Sequence, residues 1–223
     1  MVNILLDYYD INNPWLFDTL KNYIKPQYKV AIIAFSFRDN RVKNLMDWNA
    51  LYGKNGGKYY GRLVNALMTY GIDEDNVEFL NYFTDTKETA ARKIRSADIL
   101  YFLGGLPDRI YERLREFDLV DIIMKHDGIT MGYSAGAVIQ LTEYHLSPDD
   151  DYPVFDYYKG LSLLRDFYVE VHYENTDVQN TAITRVLKEK KKTVYAFSIG
   201  KGAMVVENGE IHLLGDVKIF HPR

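Results

Sequence analysis

The 223-residue sequence contains no cysteine. That excludes disulfide staples, thiolate-held metals and a cysteine nucleophile in one step. No apolar run approaches the roughly 20 residues needed to cross a bilayer, and the opening MVNILLDYYD is too short in its apolar part for a signal peptide and lacks a basic start. An excess of basic charge is also missing: 27 Lys and Arg face 31 Asp and Glu, a net charge of −4. A nucleic-acid electrostatic footprint is therefore not expected. These absences point to a soluble cytoplasmic protein with neither nucleic-acid nor membrane partners. What is present is ordinary for a globular chain: 47% hydrophobic and 26% charged residues. The length suits one domain spanning residues 1–223.

Apolar and amphipathic segments alternate along the chain. Lys29 to Phe35 is a continuous β-branched and apolar run; Val77–Leu80, Ile99–Leu103 and Ile129–Tyr133 also read as strands. Helical spacing covers Trp15–Tyr23, Tyr60–Tyr70, Thr86–Ser96, Pro107 to about Phe117, Ala135–Leu141 and Gln179–Lys192. Alternation of this kind implies an α/β fold with a mostly parallel sheet. Tyr168–Val171 adds another strand. The tail differs, with four short strands expected at 194–197, 203–206, 211–214 and 217–220 and a hairpin signal at Asn208-Gly209. A small antiparallel ribbon should close the chain.

The stretch MGYSAGA, residues 131–137, sets Ser134 between two glycines after a strand and before a helical segment. Glycines let the backbone bend sharply there, presenting a serine at the carboxyl edge of the sheet as a nucleophile. A nucleophilic serine needs a base. Of five histidines, His126 precedes a turn and reads as solvated, while His212 and His221 lie in the terminal ribbon. His145 lies eleven residues past the serine. His172 ends the strand YVEV at the same sheet edge as Ser134 and is the favoured base. An orienting carboxylate should come from Asp149, Asp150 or Asp151, which lie between the two in the chain; the residues alone do not choose among them. The 38 residues from Ser134 to His172 are too few for the strand–helix units that an α/β-hydrolase usually places there.

The segments YFLGGLPDRIYERL, GYSAGAVI, DYPVFDYYKGLSLL, VEVHYEN and AFSIGKGAMVVENGEIHLLG resemble peptidase family S51, which includes dipeptidase E and cyanophycinase. The resemblance implies a class I glutamine amidotransferase-like, flavodoxin-like three-layer sandwich and serine-type hydrolysis of short peptides. It implies Ser134 as nucleophile, His172 as base and Asp151 as triad acid, with the backbone amides of Gly105 and Ala135 as oxyanion hole. Three departures bear on substrate: Leu106 follows the double glycine where the family usually has asparagine, no arginine appears after His172 before Arg185, and Gly200-Lys201-Gly202 lacks a preceding acid. They motivate a second reading, a non-catalytic ligand-binding or regulatory protein that keeps the fold. Gly53 to Lys58 has the wrong spacing for a phosphate loop and reads as a flexible loop. Neither a cofactor nor a metal is expected; the expected partner is a small peptide substrate, and a homodimer is left open.

Overall fold

A computed structural model describes all residues, 1–223. In chain order the elements are β1 (Val2–Leu6), α1 (Pro14–Leu20), β2 (Val30–Ile33), α2 (Leu45–Tyr52), α3 (Tyr60–Met68), β3 (Val77–Leu80), α4 (Lys87–Ser96), β4 (Ile99–Phe102), α5 (Pro107–Glu116), α6 (Val120–Met124), β5 (Ile129–Tyr133), α7 (Ala135–Val138), β6 (Glu143–Leu146), β7 (Asp156–Lys159), β8 (Phe167–Tyr173), α8 (Asp177–Lys190), β9 (Thr193–Glu207) and β10 (Glu210–Phe220). Eight strands form one sheet in the order β10-β9-β1-β5-β4-β2-β3, with β8 also paired to β9. The five strands from β1 to β3 in that order are all parallel.

Every residue of β2 and β4 is buried, which is what a parallel strand covered on both faces demands. Because successive side chains point to opposite faces, each strand feeds two cores. Leu5, Ala31, Ile33, Leu100 and Phe102 pack on one side with residues of α4 to α7, a cluster of 28 buried residues. Ile4, Leu6, Val30, Ile32 and Tyr101 pack on the other with residues of α1 to α3, a cluster of 27. The near-equal clusters make the three layers of the expected sandwich. Helix starts follow local chemistry: the Thr86 hydroxyl accepts from the Thr89 amide and Thr89 answers in kind at α4, and Pro107 occupies the first turn of α5, where no amide bond is lost.

The tail corrects one expectation. Its four short strands are two long ones, because Gly200 (φ +66°) bends β9 without ending it, and a bulge between Gly215 and Val217 does the same for β10. The 15 residues of β9 reach three neighbours: residues 193–198 lie beside β8, residues 203–207 beside β1, and β10 runs along the opposite edge. Three further elements carry no clear pattern in the sequence: α2, the five-residue α6, and the separate two-stranded sheet β6–β7. No helix is long and apolar enough to cross a membrane.

Candidate active site

Ser134 follows the last residue of β5 with φ 52° and ψ −119°, a conformation that L residues rarely adopt. The flanking glycines explain how it is held. A Cβ on Gly132 would strike the backbone of Gly136, and one on Gly136 would strike the carbonyl of Phe102. Strand and helix therefore cross closely enough to force the bend. The helix behind it, α7, is one turn long, shorter than the expected span to Leu141. A single turn has little dipole, so any oxyanion stabilisation here comes from individual amides.

His172 sits in the irregular pairing of β8 with β9 between Glu170 and Tyr173, also at positive φ (53°). Its Nε2 lies 2.9 Å from the Ser134 Oγ. Gln179, at the start of α8, donates to its carbonyl at 2.8 Å. On the far side of the ring, Nδ1 lies 3.2 Å from both carboxylate oxygens of Asp7. The Asp7 side chain is fully buried, and it also accepts the His172 amide at 2.5 Å and the Gly200 amide at 2.6 Å. Burial draws the imidazole pKa down; the hydrogen bond and charge of Asp7, with the charges of Glu170 and Glu174, outweigh it, and the net shift is upward.

Asp151 is not the imidazole's partner, contrary to the sequence-based expectation. It lies on an exposed loop where both carboxylate oxygens accept from the Arg38 guanidinium. That hydrogen bond, stronger than the small desolvation opposing it, holds the Asp151 carboxyl below its usual range. Asp149 accepts the amides of Asp151 and Tyr152 and so shapes the turn itself. Asp7 was missed because it stands 165 residues from His172 in sequence. Its one signal is position: it is the first residue past a buried strand, at the edge where α/β folds gather their sites. Of the other histidines, His145 is buried against Glu170 at 2.7 Å, an oxygen pair it shares with the Ser147 hydroxyl. His126 is half-buried, with burial lowering its pKa, where a solvated ring was expected.

The turn Gly104-Gly105 lies against the serine: a Cβ on Gly104 would come within 3.2 Å of the Ser134 Cβ. Gly105 has φ +140°, with Ser36 filling the space a side chain would need. Ser36 straps this turn twice, its hydroxyl donating to the Gly104 carbonyl at 2.6 Å and its carbonyl accepting the Leu106 amide at 2.8 Å. A peptide's C=O and N–H point in opposite directions, so holding the Gly104 oxygen also fixes the Gly105 N–H. Ser36 is in turn held by Arg113 of α5. This buried guanidinium donates to the carbonyls of Phe35 and Phe37, pairs with Asp39 at 2.6 Å and stacks 3.7 Å from the Phe37 ring centre. Ala135, the second expected oxyanion residue, directly follows the serine and is buried.

Ser134 and His172 open onto a cleft of about 700 Å³ whose walls include Tyr8, Tyr9, Arg41, Tyr59 and Arg62. No group of three or more His, Asp or Glu side chains is arranged to hold a metal ion.

The sequence profile of peptidase family S51 matches residues 49–214. The chain belongs to peptidase family S51. That membership makes a peptidase the coarse functional class. Two solved structures share the fold over nearly the whole chain. A candidate peptidase E protein from Listeria monocytogenes EGD-e is 19% identical at a TM-score of 0.67, with 96% of this chain and 98% of that one covered. A peptidase from an acI-B1 Actinobacterium is 18% identical at 0.65, with 100% and 90% covered. No curated protein sequence matches the chain significantly.

Proposed function

We propose that this S51 member is a serine hydrolase of short peptides whose reacting line is Ser134, His172 and Asp7. The carrying observation is that line itself: 2.9 Å from hydroxyl to Nε2, and 3.2 Å from Nδ1 to a fully buried carboxylate. With Nδ1 protonated and hydrogen-bonded to Asp7, Nε2 is free to accept the Ser134 proton as Oγ bonds to the scissile carbonyl carbon. The carbonyl π electrons move onto oxygen, and the amides of Gly105 and Ala135 are proposed to receive that charge. The imidazolium then gives its proton to the leaving amine as the C–N bond breaks. Water, deprotonated by the same imidazole, hydrolyses the acyl-serine. Two backbone amides and the imidazole satisfy Asp7, so it stays an acceptor and stabilises the imidazolium.

A fluorophosphonate probe tests this directly. Rapid labelling of the wild-type protein, lost in Ser134→Ala, is expected. Labelling that survives in Ser134→Ala would remove the serine from the reaction, and no labelling of the wild type would favour a binding protein that keeps the fold.

A further inference from the structure

Behind the serine, a polar island interrupts the apolar layer between the sheet and α7. Leu5 of β1 packs in that layer with Leu100, Phe102, Ala135 and Val138. Asn3, two residues earlier and so on the same face, donates its Nδ2–H to the Gln140 Oε1 at 3.0 Å. Both side chains are buried, and so is Thr130, the partner of Asn3 on β5, whose hydroxyl has no hydrogen-bond partner. Burying polar groups in an apolar layer costs stability unless every one is paired. Packing alone therefore does not account for this island.

The Gln140 amide is fully used. Its Nε2 donates twice, to the Gly136 carbonyl at 3.1 Å and to the Ile4 carbonyl of β1 at 3.2 Å. In a continuing α-helix the Gly136 oxygen would accept the Gln140 backbone amide. That amide goes to the Ala137 carbonyl instead, at 3.3 Å. The Gln140 side chain thus supplies the bond that the single turn α7 lacks. The gripped oxygen is the atom that a Cβ on Gly132 would strike, so it lies against the strand leading into Ser134. Gln140 is itself anchored, its carbonyl accepting the Leu163 and Leu164 amides at 3.0 and 3.1 Å.

The serine turn accordingly meets β1 at two points. The Ser134 amide donates to the Leu6 carbonyl at 2.9 Å. The Gln140 side chain reaches Ile4, two residues or about 7 Å further back along the strand. A segment held at one point can pivot about it; held at two, it cannot.

We propose that Gln140 is a positioning residue. Its carboxamide locks α7 against β1, and so sets the Ser134 hydroxyl and the Ala135 amide relative to the strand that leads to Asp7. The inference rests on the hydrolase reading of Ser134.

Two variants test it. Gln140→Met removes the carboxamide at similar volume and leaves the Asn3 Nδ2 without its acceptor. Adding Asn3→Val makes that contact apolar on both sides, which relieves the penalty of one orphaned partner. Fluorophosphonate labelling rate, turnover and KM on one peptide, and the denaturant midpoint are measured for each. A shift of about 1 Å at a reacting group costs on the order of a hundredfold. Gln140→Met should therefore label and turn over about ten- to hundredfold more slowly than wild type, with KM within about twofold. The double variant should regain most of the lost midpoint and stay as slow. A double variant whose labelling recovers with its midpoint shows a packing role alone and overturns the proposal. Wild-type labelling in folded Gln140→Met overturns it too, as does a loss carried by KM. Should Gln140→Met not fold, the double variant decides. An unlabelled wild type defeats the hydrolase reading itself, whereas a labelled wild type matched by the double variant defeats this inference only.

Discussion

The two halves of the sheet differ in kind. The parallel half, β1-β5-β4-β2-β3, consists of strands of four or five residues, with β2 and β4 buried throughout and only the edge strand β3 half buried. The other half is a ribbon of 15 and 11 residues, and no residue of β10 is buried. The reacting line crosses the seam between them. Ser134 and Asp7 sit at the ends of parallel strands, while His172 comes from β8, which meets the sheet only through β9. The Gly200 amide, also from β9, reaches back to Asp7. The buried parallel core therefore carries Ser134 and Asp7, and β8, docked through β9, carries His172.

The sharpest way to break this arrangement is at the seam. Asp7→Asn leaves His172 without the carboxylate that fixes its tautomer, and turnover should fall by about 10² to 10⁴; the upper figure is that of the same change in a well-studied serine protease. Asp151→Asn should stay within a few-fold. Near-normal turnover in Asp7→Asn, measured beside Asp151→Asn on one peptide, would return the search to another acid. The pH profile sharpens the point. Attack needs a neutral imidazole, and the His172 pKa is raised, so activity should be lost as pH falls through a value above the ordinary histidine value of about 6.5. In Asp7→Asn that acid limb should move to lower pH.

Next in size is the parallel core. Ile32→Ala removes a fully buried side chain of β2 and should cost about 2–5 kcal/mol, read as a lowered midpoint in denaturant. Ser36→Ala should act on rate and not on binding. Freeing the Gly104 carbonyl loosens the Gly105 amide, and turnover should fall on the order of tenfold with KM little changed. A rise in KM at constant turnover would show Ser36 acting on substrate binding. The smallest effect is expected in the ribbon. Ile219 is 45% exposed, and its replacement by alanine should shift stability by no more than about 0.5 kcal/mol. If Ile219→Ala costs as much as Ile32→Ala, the contrast between the halves fails.

The same contrast governs what could be read from the sequence. Strands of the parallel half announce themselves as unbroken apolar runs, and β3 and β5 fall where the pattern places them. The sharp turn at Ser134 was legible from its two glycines, of which Gly132 is dictated by a contact four residues on and Gly136 by the carbonyl of Phe102 on the neighbouring strand. His172 was placed at the end of a strand over 168–171; that strand runs from Phe167 to Tyr173, and the ring still lies beside Ser134. In the ribbon, glycines at 200 and 215 look like strand ends and are bends. Asp7 carries only the weak signal of its place just past β1; its contact with His172 depends on antiparallel pairing of β1 with a strand some 200 residues later. The aspartates of residues 149–151 lie between serine and histidine in the chain, and Arg38 holds Asp151 elsewhere in space.

The three-way contact of β9 also bears on the time course of synthesis. By the time residue 172 is made, the nascent chain already contains Asp7, Ser134 and His172. It still lacks the strand that seats β8 beside β1. At about 5–20 residues per second, the interval from residue 172 to residue 207 is roughly 2–7 s. During it the chain holds all three residues of the proposed site but lacks the strand that pairs with both β1 and β8. On the proposed mechanism, a chain broken off before β9 should therefore show no serine hydrolase activity, although it contains Ser134, Asp7 and His172.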